Sequence, residues 1–424
     1  MNIQKCDKTT FRGYDARPLK GFIMNANSYG IAKEMQTIGK KEGFKVYAPL
    51  SGDYSTLCGE VLPAYKEDTA GVWAQDLWTV VKNKLLAFEL SEKTYAIKKF
   101  FDLDFDFTQK TVRENPRFLA LNEKVWNLAG LIATSKQDSE DLPFLMFSFE
   151  ANREKLKDFQ HTFHIPGGNI YVVKGDNGDE AFVGEKELEK YSIDEIKAMY
   201  CVNKVIPLPQ MDYHIDLFIR PLDNKRVLLA DDELNIEVLQ NLSEKLNDLI
   251  RSKKTAQERN QYKHVFVKLN SVLTTEKQLV QLNPLAKADE VAEVLEKNGY
   301  EPIRIPARVY EIAEFAVSGR QFPLHHCNYI NANVLKNKNG ELVYITNKSN
   351  IDKILGLTPE LIEELGYSYE QEFVKRLSQY VKEEHIYFVK GTKDFVAEQM
   401  LTEYQGGIHC ACSEVPIEEN PLND

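Results

Sequence analysis

The sequence predicts an α/β fold built from one repeated module, because a helix–turn–strand pattern recurs along the chain. In the first copy, helical spacing over residues 28–42 stops at a glycine and an apolar run follows over 43–50. The segment KKEGFKVYAPL at 40–50 and the segment EKNGYEPIRIP at 296–306 have the same order of elements. Two weaker copies place a helix at 193–199 before a strand at 204–209, and a helix at 369–383 before a strand at 385–390. Four copies predict one pseudosymmetric ring and not two independent lobes.

Turn-forming sequences lie between these copies at 174–178, 222–225 and 336–340, and each has β-prone runs on both sides. The pattern therefore predicts repeated ββαβ modules. A strand is predicted over 215–219, and amphipathic helices are predicted over 234–253 and 275–297. Since no Pro/Gly/Ser-rich linker divides the chain, we expect a single domain over 1–424 with insertions at about 85–160 and 234–262.

Composition narrows the classes of partner. The net charge of −11, from 53 basic and 64 acidic residues, argues against nonspecific nucleic-acid binding and favours a cationic substrate. The N-terminus lacks an apolar segment and no apolar stretch reaches about 18 residues, so we expect a cytoplasmic protein without a membrane partner. Six scattered cysteines without paired spacing form neither a disulfide framework nor a zinc site, which favours a reducing compartment.

A glycine pair precedes a cysteine near the C-terminus, in the segment GGIHC at 406–410. Glycines allow a backbone to approach a ligand closely, so this turn could present Cys410 as a nucleophile at the mouth of a pocket. The alternative is a loop with buried, inert thiols. On a strand, His409 would point to the face opposite Cys410, which disfavours it as the catalytic base.

Three further segments contain polar groups suited to binding a cation. In DYHIDLFI at 212–219, a strand with period 2 would place His214 and Asp216 on one face, where they could move a proton and bind a cation. The alternative there is a structural His–Asp pair. WAQD at 73–76 places Asp76 at the start of an aromatic, β-prone run, and PGGN at 166–169 is a tight turn before a strand.

The order of these four motifs resembles the guanidino-group-modifying enzymes, and it is most similar to their agmatine deiminase and protein-arginine deiminase branch. GGIHC is similar to the agmatine deiminase nucleophile motif, and YIN at 329–331 resembles a strand that precedes it. HIDLF at 214–218 is similar to the histidine–aspartate motif of both enzymes, while WAQD looks more like the protein-arginine deiminase version. The motifs span residues 73–416, so the resemblance covers most of the chain.

The resemblance implies a five-bladed αβ propeller, the pentein fold. It implies that Cys410 is the nucleophile, that His214 is the general acid/base, and that Asp76 and Asp216 bind the guanidinium group. Beside them we expect three more substrate-binding residues, Trp73, Gly168 and Asn169. No metal and no organic cofactor is expected.

The sequence also departs from the family pattern. Pro166 stands where agmatine deiminases tend to have an acidic residue, which puts agmatine itself in doubt as the substrate. The chain is too short for the immunoglobulin-like domains of animal protein-arginine deiminases, so their calcium dependence is not expected. Cys412 is an additional thiol close to the expected nucleophile.

The predicted function is that of a hydrolytic deiminase. A guanidinium cation is planar and resonance-stabilised, so two carboxylates would fix its plane while a thiolate attacks its carbon. The substrate would be arginine, either free or in a peptide, and the products a ureido compound and ammonia. An amidinotransferase, an agmatine-type deiminase, a non-catalytic binding protein on the same fold and a cysteine hydrolase of peptide bonds are the alternatives.

Overall fold

The structure is a computed structural model that describes the following parts of the chain. These parts are residues 17–24, 29–48, 78–81, 84–87, 99–102, 165, 167–175, 178–200, 202–282, 287–307, 310–314, 321–325, 327–349, 351–392, 395–396 and 406–416.

The described residues form a mixed α/β fold with several small sheets. The strands are β1 Arg17–Met24, β2 Lys45–Tyr47, β3 Trp78–Val81, β4 Lys84–Ala87, β5 Ile170–Gly175, β6 Gly178–Gly184, β7 Lys204–Leu208, β8 Ile219–Pro221, β9 Arg226–Ala230, β10 Glu301–Ile305, β11 Tyr310–Glu314, β12 Gln321–His325, β13 Asn333–Lys336, β14 Leu342–Asn347, β15 Ile386–Val389, β16 Gly391–Thr392, β17 Phe395–Val396 and β18 Cys412–Pro416. The helices are α1 Tyr29–Glu42, α2 Ile193–Tyr200, α3 Asp232–Ser252, α4 Ala256–Leu282, α5 Ala288–Lys297, α6 Ile351–Leu355, α7 Pro359–Leu365 and α8 Tyr369–Leu377.

Three stretches of the chain have the same ββαβ topology. β5 and β6 form an antiparallel hairpin, and β7 returns parallel to β6 after helix α2. The same arrangement joins β8, β9 and β10 across α3 to α5, and joins β13, β14 and β15 across α6 to α8. A parallel partner needs a crossover connection, which the helices supply. The predicted helix–strand copies therefore correspond to real units of the fold.

A fourth unit is assembled from the two ends of the chain. β18 pairs antiparallel with β1, and β2 pairs parallel with β1 after helix α1. β1 also lies beside β13, so this unit joins the β13–β14–β15 unit in one six-stranded sheet. The pairing places the turn before β18, which contains Cys410, against the body of the protein. Within the described residues, the strands form separate open sheets and no closed one.

Two predicted elements are wrong. The strand expected over 215–219 is a 3-10 turn, Ile215–Leu217, and β8 begins only at residue 219. The helix expected over 275–297 is two helices, because α4 ends at Leu282 and α5 begins at Ala288. Pro284 lies between them in sequence, and a proline disfavours helical backbone at the residue before it. The start of α5 is fixed by the Glu290 carboxylate, which accepts the Lys287 N–H at 2.9 Å.

The long helices α3 and α4 pack on the main hydrophobic core. Their buried residues Leu242, Leu246 and Leu269 belong to the same apolar cluster as Phe218 and Leu228 of the β8–β9 region. Burial of this apolar surface holds the two helices against the sheet that carries part of the candidate site. Across the described parts of the chain, no helix has the length and apolar character needed to span a membrane.

Candidate active site

The Cys410 thiol lies at the centre of a compact group of polar side chains. Its Sγ is 3.2 Å from Asp216 Oδ2 and 3.1 Å from Asn331 Nδ2. Cys410 is 4% exposed and Asp216 is fully buried. The three residues come from the turn before β18, the 3-10 turn before β8 and the loop before β13. The fold therefore brings two distant segments of the chain into contact with the turn that carries the thiol.

Asn331 fixes the turn that carries the thiol. Its Oδ1 accepts the backbone N–H groups of His409 at 3.0 Å and Cys410 at 3.3 Å, while its Nδ2 donates to the thiol sulfur. Gly407 makes this approach possible, because a Cβ atom there would lie 2.5 Å from Asn331 Oδ1. The glycine is thus needed for close packing against Asn331, and its backbone is not left-handed.

His409 does not point away from Cys410, so the prediction based on a strand is wrong. Residues 408–411 form a turn, and β18 begins at Cys412. In this turn the His409 ring reaches Asp216, with Nδ1 at 2.9 Å from Oδ2. The ring and the thiol therefore meet the same carboxylate oxygen. The period-2 rule placed them on opposite faces because it assumed a strand that the chain does not form there.

His214 and Asp216 share one side of their turn, as predicted, although the local structure is not a strand. His214 has extended backbone and precedes the 3-10 turn that contains Asp216. An added Cβ on Gly168 would lie 2.5 Å from His214 Nδ1 and 3.0 Å from Asp216 Oδ1. His214 is partly exposed, whereas Asp216 is fully buried. Only a glycine at 168 lets the chain pass this close to both side chains.

Asn169 links the glycine turn to the His214 segment. Its Oδ1 accepts the Ile215 N–H and a proton of Gln210 Nε2, both at 3.2 Å, and its Nδ2 donates to Glu187 at 2.8 Å. The side chain is buried, with 2% exposed, and both ends of its amide are engaged by the protein. In this arrangement Asn169 positions the turn that holds Asp216. Its predicted contact with a substrate stays a prediction.

The protonation of the group follows from burial and hydrogen bonding. Burial raises the pKa of Asp216, but hydrogen bonds from His409 and Cys410 and the nearby histidines outweigh burial, so the pKa lies below its usual value. Burial, followed by the charge of Asp216, raises the pKa of the Cys410 thiol well above its usual value. Burial also lowers the pKa of His409. At neutral pH the site therefore holds an ionised carboxylate, a protonated thiol and a neutral His409 ring.

A buried ion pair is connected to the polar group around Cys410 through Tyr171 and His409. Arg220 is fully buried and its Nη2 lies 3.0 Å from Glu414 Oε1 on β18. The guanidinium group stacks over the Tyr171 ring at 5.0 Å, and Tyr171 in turn contacts the His409 ring at 5.2 Å between centroids. These contacts connect β5, β8 and β18 behind the thiol.

Five of the predicted site residues are brought together: Cys410, Asp216, His214, Gly168 and Asn169. Trp73 and Asp76 lie outside the described residues. Sequence reasoning assigned no role to Asn331, although the YIN segment that contains it was noted. Among the described residues, no cluster of three or more His, Cys, Asp or Glu side chains is arranged to hold a metal ion.

Comparisons with known proteins add little to this description. No family model matches the chain, and no curated protein matches it. Among solved structures, the chain is similar to a C. jejuni agmatine deiminase, with 14% sequence identity and a TM-score of 0.41. The similarity covers 96% of this chain and 95% of that one. A similarity this distant says nothing about the activity or the residues of this chain.

Proposed function

We propose that the protein is a hydrolytic deiminase, which converts a guanidino group into a ureido group and ammonia through a covalent intermediate on Cys410. The observation that carries the proposal is the shared oxygen of Asp216. A buried, ionised carboxylate that accepts a hydrogen bond from a thiol places a negative charge beside a nucleophile, and such a charge suits a planar cation.

The resting thiol explains why the substrate should be cationic. The negative charge of Asp216 helps to keep Cys410 protonated when the site is empty. A guanidinium ion bound to Asp216 would neutralise that charge and favour the thiolate. The nucleophile would thus be generated when the substrate arrives, which limits side reactions of the free thiol.

His214 would carry the protons of both half-reactions. It takes the thiol proton as Cys410 attacks the guanidinium carbon, and it passes this proton to the departing nitrogen, which leaves as ammonia. The product of this step is a thiouronium on Cys410. His214 then takes one proton from water as the water oxygen bonds to the same carbon. The C–S bond breaks, the departing Cys410 thiolate takes the second water proton from the new C–OH group, and His214 releases its proton to solvent. A ureido compound is released.

The remainder of the proposal follows the resemblance. Asp76 would be the second carboxylate on the guanidinium group, with Trp73, Gly168 and Asn169 as its neighbours. The four ββαβ units would be blades of a five-bladed propeller in a single catalytic domain with insertions. The substrate would be a small-molecule or peptidyl guanidine, most simply arginine, and the net charge of −11 favours the approach of such a cation.

The test is release of ammonia and ureido product from free arginine, agmatine and an arginine-containing peptide. Cys412 gives a matched control, because it is as buried as Cys410 and lies two residues away. We expect turnover of one panel member that Cys410→Ala abolishes and Cys412→Ala retains. Turnover that survives in Cys410→Ala, or that Cys412→Ala abolishes instead, would contradict the proposal.

A further inference from the structure

His409 is a buried histidine to which the proposed mechanism gives no role. Its ring nitrogen Nδ1 lies 2.9 Å from Asp216 Oδ2, and its backbone N–H donates to Asn331 Oδ1 at 3.0 Å. The residue is only 4% exposed, so a substrate would have little access to its ring. These two contacts lead to Asp216 and Asn331, the residues that touch the thiol sulfur.

The geometry points to His409 as a positioning residue: its ring donates to the Asp216 oxygen that also accepts the Cys410 thiol, and so fixes the carboxylate from which the nucleophile is released. This inference rests on the proposed function. It assigns to His409 the orientation of Asp216, and leaves proton transfer to His214.

The groups around the His409 ring favour a role as a fixed hydrogen-bond donor and disfavour a role in proton transfer. Asp216 and Cys410 face it from the site, and His214 and the positively charged Arg220 lie close enough to influence it. Arg220 is held by Glu414, and Tyr171 packs against the ring. Burial and the positive charge of Arg220 both oppose a second proton on His409, while the carboxylate keeps the first proton on Nδ1.

Because the His409 ring and the Cys410 thiol contact the same Asp216 oxygen, the ring also affects how readily the thiol loses its proton. When the ring donates to Oδ2, the carboxylate charge is divided between the ring N–H and the thiol S–H. If the ring donor is removed, the carboxylate loses a donor to that oxygen and holds the thiol proton more strongly. Loss of the ring should therefore make Cys410 harder to ionise and misorient Asp216 toward a substrate.

The experiment compares His409→Asn with His409→Leu. The asparagine amide can place an N–H near the position of Nδ1 but cannot carry a proton, whereas leucine fills space without a donor. We expect His409→Leu to lower kcat on the order of 10- to 100-fold, the range typical of groups that orient a functional side chain. We expect His409→Asn to restore most of that loss. Thermal unfolding of both variants serves as the control that each is folded.

A second readout does not depend on turnover. Alkylation of Cys410 by iodoacetamide, followed by mass spectrometry across a pH series, reports ionisation of the thiol. We expect the half-maximal pH to rise by about 1 pH unit in His409→Leu and to return in His409→Asn.

Two results would overturn the inference. If His409→Asn is as inactive as His409→Leu while the alkylation profiles are unchanged, His409 transfers protons. If His409→Leu matches the wild type in both readouts, the ring has no role at the site. Should no guanidine be turned over by any variant, the proposed function fails, and the alkylation profiles alone still decide whether His409 positions Asp216.

Discussion

Two regions of this protein bury a carboxylate against a histidine, and they use the pair for different ends. In the candidate active site, Asp216 accepts hydrogen bonds from His409 and from the Cys410 thiol. At the edge of the six-stranded sheet, Glu42 meets His385 at 3.0 Å and also accepts hydrogen bonds from Tyr387 and Asn337. In both regions burial alone would raise the pKa of the carboxyl, and the donors lower it below its usual value.

The difference lies in the donors. The Glu42 group ties the end of α1 to the β13–β14 turn and to the start of β15, since His385 also reaches Glu341 at 3.0 Å through its other ring nitrogen. The Tyr387 phenol and the Asn337 amide keep their donor protons at neutral pH. The Asp216 group instead includes a thiol, which is a weak donor and a nucleophile once ionised. The donors at Glu42 keep their protons and therefore stabilise the fold. The Cys410 thiol at Asp216 can lose its proton and then becomes a nucleophile.

The largest expected effect is on turnover, from Asp216→Asn. The amide has nearly the same shape but no charge, so it neither binds a guanidinium ion nor helps to retain the thiol proton. We expect kcat/KM for the panel substrate to fall on the order of 1,000-fold, within the range for removing one member of a buried charge pair. Stability should fall as well, because the folded pKa of Asp216 lies below its usual value, so kcat/KM is measured under conditions in which urea unfolding shows the variant to be folded. If Asp216→Asn retains more than a tenth of the wild-type kcat/KM, the shared oxygen is not central to catalysis.

Glu42→Gln should lower stability and leave turnover nearly unchanged. Replacing the carboxylate weakens its hydrogen bonds from His385 and Tyr387, and we expect the free energy of unfolding to fall by about 1–3 kcal/mol at pH 7. kcat/KM should stay within about twofold of the wild type. A twofold change corresponds to much less than the roughly 1.4 kcal/mol that a tenfold change requires. A large loss of turnover without a loss of stability would show that the sheet edge and the site are not separate in function.

The pH dependence of this effect has a defined sign. The pKa of Glu42 is lower in the folded protein than its ordinary value of 4.5, so its contribution is present above pH 4.5 and is lost as the pH falls toward the folded pKa. The difference between wild type and Glu42→Gln in urea unfolding should therefore shrink below pH 4.5.

The smallest expected effect comes from Asp352 in α6, a carboxylate outside both regions that tests what burial does where donors do not offset it. Burial, followed by the charge of Glu370, raises the pKa of Asp352 to about 6, and no hydrogen bond to its Oδ1 is present among the described residues. Because the folded pKa lies above the unfolded one, ionisation at pH 7 destabilises the fold. We expect Asp352→Asn to raise the free energy of unfolding by about 1–2 kcal/mol at pH 7, and the gain to vanish below about pH 4. A variant less stable than the wild type at pH 7 would contradict this expectation, because it would show that the Asp352 carboxylate stabilises the fold.

Local patterns predicted the elements, and contacts between distant segments decided the site. The helix at 28–42 and the strand at 204–209 were predictable because periodicity and glycine stops are local signals, and α1 and β7 confirm them. His409 was placed wrongly because its direction depends on Asn331, which holds the turn from 78 residues away. The role of Asn331 itself leaves no local signal, since a buried asparagine looks the same in sequence whether or not it touches a thiol.

The most direct test of the account is to trap the intermediate. Wild-type protein is mixed with the substrate that it turns over and quenched in acid within milliseconds, and peptides are analysed by mass spectrometry. We predict an adduct on Cys410 with the mass of the substrate less one ammonia, no adduct on Cys412, and none in Cys410→Ala. An adduct on another residue, or product formed by Cys410→Ala, would contradict the central claim that Cys410, released from Asp216, is the nucleophile.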